Sequence, residues 1–341
     1  MAGLGGSFDS GMGGSNGRNA HGVSLRSGSS LLFIVSLALI GLAVGALRLI
    51  KAAAADVYPS HSRTRGIGLV QLGGLAGAWV GLILLDLTRM RTPLAPFPWF
   101  AAALVLVALA LLTYGLLRPD PLQLSQVLEV PKHALPPLHP PRSVFAMVRD
   151  SRLLTAALIS VCAVYGVMVM DMSLAGTALS RAGVAPRLIL IVMAIHFTGM
   201  FCLMRLAGQW ADRYDRKRLV VGGLALVAVA TAGLGLMSVD VINIAGLLFA
   251  VGVGWCLAWV AGLGALAEYA RTNERGALIG LADLGSDVIA AVLAIAGGAA
   301  LASLSTGGLS AVGVAALLMT LAISLSWWPA LGRTLSSPET D

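Results

Sequence analysis

The chain is short of charge. Only 11% of its 341 residues are Asp, Glu, Lys or Arg, while 57% are hydrophobic and the mean hydropathy is +0.87. Soluble domains carry about 25% charged residues, so water is excluded as the main solvent. Period-2 alternation is also missing, which excludes a transmembrane β-barrel. Cysteine is scarce: Cys162, Cys202 and Cys256 all fall inside apolar runs, where they read as small packing residues rather than disulfides or ligands. No P-loop or His-Glu-x-x-His pattern occurs, and the five His and three Cys have no zinc spacing. Gly252-x-Gly254 sits inside an apolar run without a third glycine, so it is no dinucleotide loop. The sequence therefore predicts no enzyme, no cofactor and no metal site.

What the chain has is long apolar runs. A bilayer core of about 30 Å takes about 20 apolar helical residues to cross, and nine stretches qualify: 31–50, 67–87, 97–117, 153–176, 186–206, 219–237, 241–262, 277–300 and 308–328. The expected fold is an all-α polytopic membrane protein. The net charge of +7 fits a membrane better than nucleic acid, because it is unevenly placed. Loops 51–66, 118–152, 207–218 and 267–276 with the C-terminal tail hold 15 Lys and Arg; the opposite loops and the N-terminal tail hold 6. That bias is the positive-inside pattern. It predicts a multi-pass protein with its N-terminus outside, its C-terminus cytoplasmic, and the lipid bilayer as its principal partner.

Composition divides the chain further. Residues 1–30, with nine Gly and seven Ser, read as a disordered tail. Residues 31–117 hold three spans, 118–152 form a Pro-rich cytoplasmic linker, 153–330 hold six spans, and 331–341 are a cytoplasmic tail. A shift of 212 residues without gaps lays Ala55-Asp56 on Ala267-Glu268, Arg63 on Arg275, Ile67-Gly68-Leu69 on Ile279-Gly280-Leu281, and Leu72-Gly73 on Leu284-Gly285. In both copies an apolar span leads into a short charged loop and a Gly-rich span follows. Repeated halves are a common plan of secondary transporters.

Three segments carry a resemblance. Residues 208–218, Gly-Gln-Trp-Ala-Asp-Arg-Tyr-Asp-Arg-Lys-Arg, resemble a cytoplasmic loop motif of the major facilitator superfamily through Gly208, Asp212, Arg213, Arg216, Lys217 and Arg218, with Asp215 where a second Gly is usual. Residues 54–66, Ala-Ala-Asp-Val-Tyr-Pro running to Arg65-Gly66, are similar to the loop between the fourth and fifth helices of many bacterial members. His196-Phe197-Thr198-Gly199-Met200-Phe201 resembles an eighth-helix stretch of some of them. The resemblance covers about residues 31–330 and implies a two-half helical bundle. By that register the nine spans correspond to helices 4–12 of twelve. The chain then reads as a transporter lacking its first three helices, or as one completed by a partner chain or a second copy. The implied function is secondary transport of a small molecule across the bacterial inner membrane by alternating access, with proton-coupled efflux of neutral or cationic amphipathic solutes as the expected mode. The alternative is a non-transporting membrane scaffold or accessory subunit.

Candidate residues fall in two groups. Gly208 permits close helix approach, and Asp212 can face a neighbouring helix N-terminus, where partial positive charge favours a carboxylate. The expected target is the start of span 67–87, beside Arg63 and Arg65. With Arg213, Arg216, Lys217 and the repeat partner Arg275, this forms an expected cytoplasmic latch that closes in one access state; the alternative is a purely topogenic cluster. The second group lies at membrane depth, where ionisable residues are functional candidates. Asp283 and Asp287, four apart on one helix face, suit a proton relay or a cationic solute, unless helix-end electrostatics account for them. His196 suits a relay or an interhelix hydrogen bond. Tyr165, Met168 and Met172, and Trp255 and Trp259, form helical stripes. In the resembled family the seventh and tenth helices line a central cavity, so these stripes line an apolar pocket or are packing. Gly73, Gly77 and Gly81 are expected to pack closely on a partner helix, and Asp86, Asp171 and Arg205 to be interfacial.

Overall fold

The computed structural model describes residues 41, 44, 45, 48, 50–91, 97–116, 143–236, 240–270, 272–303 and 306–328. The tails, most of span 31–50 and most of the 118–152 linker lie outside the described residues, as does the comparison of 31–50 with 241–262 across a repeat axis. By contact the chain divides into Met1–Leu47 and Arg48–Asp341. Gly41, Val44 and Gly45 are the described residues of the first unit and are helical. The second unit holds the helices α1 (Ile50–Val57), α2 (Arg63–Arg91), α3 (Phe97–Leu116), α4 (Val144–Asp150), α5 (Arg152–Arg181), α6 (Pro186–Phe201), α7 (Met204–Arg213), α8 (Arg216–Leu236), α9 (Val241–Tyr269), α10 (Thr272–Ser303) and α11 (Thr306–Trp327). A 3-10 turn, Ser60–Ser62, separates α1 from α2. Among the described residues there is no strand.

Seven segments of the described residues are long and apolar enough to cross a bilayer, and α6 with α7 forms one of them, Pro186–Arg213. In α3 the corresponding apolar stretch is Leu104–Thr113. This is an all-α polytopic membrane protein. Polar residues set the helix starts. Ser151 accepts a hydrogen bond from Leu154 N at 3.3 Å to begin α5, Asp240 accepts from Asn243 N at 3.2 Å to begin α9, and Pro186 opens α6. Each satisfies, or does without, a backbone N–H that the helix cannot bond itself. Gly183, at φ 74°, makes the α5–α6 turn that an L side chain would strain.

The core centres on α5 and α9. Of the apolar window of α5, 72% is buried, against 11% for α2, so α5 is enclosed by protein while most of the α2 window is only partly covered. Close crossings use glycine. A Cβ on Gly199 would stand 2.5 Å from the Phe249 carbonyl oxygen, and one on Gly252 2.7 Å from that of His196, which brings α6 and α9 backbone to backbone.

Two expectations need correction. Gly73, Gly77 and Gly81 are expected to pack on a partner helix, yet a Cβ at each meets nothing within 4 Å among the described residues. The close contacts of α2 use Gly68, against the Met204 carbonyl, and Gly74, where a Cβ would come 2.7 Å from the Phe201 ring. The four-residue stripe lies one side away from the partner. The segment 207–218 is also not a loop. Met204, Ala207, Gly208 and Ala211 recur at helical spacing and are buried on α2, so α7 continues to Arg213 and only Tyr214 and Asp215 turn. Asp215 makes that turn without a glycine: its carbonyl accepts from Arg218 N at 3.0 Å and its carboxylate from Lys217 N at 2.9 Å.

Candidate functional site

Two cations one turn apart meet two carboxylates one turn apart. Arg48 and Lys51 share a helix face, as do Asp283 and Asp287 on α10. Lys51 Nζ lies 2.5 Å from Asp283 Oδ1, and Arg48 Nη1 2.6 Å from Asp287 Oδ2. The pairs differ in setting. The Lys51 and Asp283 side chains are 7% and 11% exposed, whereas those of Arg48 and Asp287 are 28% and 50% exposed. A closed inner pair thus adjoins an open outer one.

Aromatic rings surround both. Arg48 Nη2 donates to the Tyr165 hydroxyl at 3.2 Å, with its guanidinium 5.9 Å from the ring centroid. The Lys51 ammonium stands 5.0 Å from the Trp259 centroid. Tyr165 and Trp259 lie 5.3 Å apart, Trp259 stacks on Trp255 at 5.3 Å, and Phe201 meets Trp255 edge-on at 6.0 Å. Trp259 Nε1 donates to Gln71 Oε1 of α2 at 2.8 Å. Cations over ring faces gain from the ring quadrupole most where water is excluded. The cluster joins residues from α2, α5, α6, α9 and α10 to Arg48 and Lys51. Chemically, either carboxylate of this arrangement can exchange its cation for a proton or another ionic group.

At the basic end of the bundle, Asp212 accepts from Thr64 N at 3.2 Å and from Arg65 N at 2.7 Å. These are the first free N–H groups of α2, whose own first turn has no acidic residue. Arg216 holds the carboxylate from behind at 3.2 Å, donates through Nε to Thr64 Oγ1 at 3.3 Å, and pairs with Glu268. Gly208 lets the helices meet, since a Cβ there would stand 2.6 Å from the Thr64 carbonyl oxygen. Arg65 contributes its backbone while its side chain is exposed. Arg213 and Lys217 are not in this contact. The Arg213 guanidinium lies 6.0 Å from the Tyr214 ring, and Lys217 Nζ donates to the Leu325 and Trp328 carbonyls at 3.0 and 2.7 Å, closing the end of α11. The helical path of 204–218 turns these two away from α2.

The 212-residue register has a geometric counterpart. Arg63 Nε donates to the Ala55 carbonyl at 3.1 Å, and Arg275 Nε to the Ala267 carbonyl at 2.9 Å. Arg275 also pairs with Asp56 at 3.0 Å, which ties the start of α10 to the end of α1.

The remaining candidates disperse. His196 is fully buried, and its Nδ1 is 2.7 Å from the Leu248 carbonyl oxygen, an α6–α9 packing bond. Met168 is in the core. Met172 lines a separate cavity of about 540 Å³ with Leu82, Leu85, Met193 and Phe197. Asp171 corrects the interfacial assignment: α5 runs on to Arg181, so this carboxylate is buried and accepts from the Thr231 hydroxyl at 2.6 Å. Asp86 pairs with Arg187 at 3.4 Å near the far end of α2. Arg48, Lys51, Gln71, Phe201 and Glu268 are site residues that sequence reasoning passed over. A usable signal existed for the first two, since an Arg-x-x-Lys face at a span end complements Asp283-x-x-x-Asp287.

Comparison with known proteins agrees with this architecture. The profile of the Major Facilitator Superfamily matches residues 20–294 and, in a second alignment, 163–339. The riboflavin transporter RfnT of Brucella anthropi is 26% identical over 259 residues, 75% of this chain and 62% of that protein. The chain thus spans less than two thirds of that relative's length. With helices long enough to cross a bilayer, a Gly-to-Asp helix turn docked on a helix start, and a profile match over most of its length, this chain belongs to the major facilitator superfamily.

Proposed function

We propose that this chain is a secondary active transporter of a small solute, working by alternating access in the bacterial inner membrane with its N-terminus outside and its C-terminus cytoplasmic. The observation that carries this reading is the pair of cation–carboxylate contacts joining Arg48 and Lys51 to α10 at 2.6 and 2.5 Å. Charges at membrane depth are expensive to keep, and contacts between moving bodies must break and reform during a transport cycle. Protonation of Asp283 or Asp287 would free its cation and loosen that seam, which supplies a route for proton coupling. Solute held against Tyr165, Trp255 and Trp259 would be released by the same loosening. The Asp212 contact with the start of α2 acts as the latch of one access state, with Gly208, Arg216 and Glu268 in support.

The aromatic faces favour a flat ring as solute, and the relative named above transports riboflavin, so we take a planar heteroaromatic compound as the cargo class. Efflux driven by proton entry is one direction of this cycle, and uptake is its reverse. Reconstitution into proteoliposomes with an imposed pH gradient tests the reading. Gradient-dependent flux of riboflavin or another flat solute, lost in Asp283→Asn, supports it; no flux over a broad panel ends it.

A second reading, a non-transporting scaffold or accessory subunit, has one observation in its favour. Gly68 packs on the backbone of α7, but Gly280, its partner in the 212-residue register, has nothing within 4 Å of a built Cβ among the described residues. A partner chain or second copy would cover that face. This reading predicts a stable complex without flux in the same vesicles.

A further inference from the structure

Among the described residues, two buried N–H groups of the aromatic cluster have no acceptor. Trp255 is 3% exposed, and its Nε1 is buried without a hydrogen-bond partner. Gln71 Nε2 is likewise buried and unbonded. The orientation of the Gln71 amide is fixed chemically: the indole N–H of Trp259 only donates, so the atom 2.8 Å from it must be the Gln71 oxygen, and the amino end points elsewhere. Both residues belong to one packed cluster, because Trp255 stacks on Trp259 at 26° between ring planes and Trp259 is bonded to Gln71.

Free neutral donors inside a dry site are costly, and they favour a ligand that accepts from them. The nearby ring faces already carry cations, Lys51 over Trp259 and Arg48 over Tyr165. A cationic solute would have to displace them against like charge. We propose that Gln71 Nε2 and Trp255 Nε1 bind the acceptor edge of an uncharged planar heteroaromatic solute, its ring carbonyls or ring nitrogens, and set the specificity of the site. This rests on the transport reading above and narrows the expected neutral or cationic amphipaths to uncharged solutes. A site built to bond a polar edge rejects an analogue that lacks it, because its own donors are then left unpaired.

The test is equilibrium binding to the purified full chain in detergent, with two fluorescent probes. Riboflavin carries ring carbonyls; ethidium is a flat cation without them. The variants are Trp255→Phe, which keeps a ring and removes the N–H, and Gln71→Met, which keeps length and removes the amide. The expected result is riboflavin binding by the wild type, weakened about tenfold, or 1.4 kcal/mol, in either variant, with weaker ethidium binding left unchanged. Equal weakening of both probes, or no change for riboflavin, would overturn the donor assignment. A wild type that prefers ethidium or binds no riboflavin would overturn the solute class. Flux of some other solute in proteoliposomes would then leave the transport reading standing, whereas its failure is read only by absent flux.

Discussion

Gln71 and Asp283, 212 residues apart, each bridge an N-terminal element to a C-terminal one at the same cluster. Gln71 of α2 accepts from Trp259 of α9 at 2.8 Å, and Asp283 of α10 accepts from Lys51 of α1 at 2.5 Å. The two bridges touch, because the Lys51 ammonium lies 5.0 Å from the Trp259 centroid. One bridge is neutral and the other ionic.

Removing one partner of the inner ion pair leaves an uncompensated buried charge, which costs about 3–5 kcal/mol. Lys51→Met or Asp283→Leu alone is therefore expected to lower thermal stability in detergent by that order. Lys51→Met with Asp283→Leu, which leaves no charge, is expected to recover most of it. A double substitution as unstable as the sum of the singles would contradict pairing between these residues.

Asp212 caps a helix from outside that helix. Asp212→Ala is expected to cost about 1–2 kcal/mol, as loss of an N-cap does. Asp212→Ala and Arg216→Ala should be non-additive by about 0.5–3 kcal/mol, since both residues serve one network. Unfolding of the two singles and the double, measured in one detergent, checks the coupling. Strict additivity would mean that Arg216 serves Glu268 alone.

Glycine substitutions should separate contact from open surface. Gly208→Val is expected to prevent α7 from reaching α2, because even a Cβ would stand 2.6 Å from the Thr64 carbonyl oxygen. Gly77→Ala, with nothing within 4 Å, should be neutral or slightly stabilising. The monodisperse fraction on size-exclusion chromatography reports both. Equal loss in the two variants would refute the assigned α2–α7 crossing.

The Asp86–Arg187 pair is a useful contrast. Its Arg side chain is 70% exposed and the contact is 3.4 Å long. Exposed pairs of this kind contribute about 0–1 kcal/mol, so Arg187→Gln should change stability by less than about 1 kcal/mol. A loss as large as that of Lys51→Met would show that this exposed pair holds its helices as firmly as the buried one.

Much of the site was legible because short-range chemistry wrote it. Gly208, Asp212 and Arg216 stand at spacings that work only where a helix end meets another helix, and the start of α2 was the expected target. The Ala55/Arg63 and Ala267/Arg275 correspondence was also open to inspection, because each arginine bonds a carbonyl eight residues before it in its own copy. Lys51 was different. By position it belonged with the topogenic cations, and nothing local distinguishes a lysine that sets orientation from one that sits 7% exposed against a carboxylate. Asp171 misled for the same reason, since its distance from the helix end depends on how far α5 continues.

The sequence by itself determined the solvent, the helical class and the family. Apolar length and the lack of charge leave a bilayer and intrahelical hydrogen bonding as the consistent outcome. Which polar groups meet was decided only by tertiary packing. A helix face spans several side chains, and lipid-facing and protein-facing positions in a membrane are alike in hydropathy. Gly68 and Gly77 therefore look the same in the chain, and Met168 and Tyr165 share one stripe. Only the crossing of α2 with α7, and of α10 with the segment carrying Arg48 and Lys51, separates packing residues from those of the cluster.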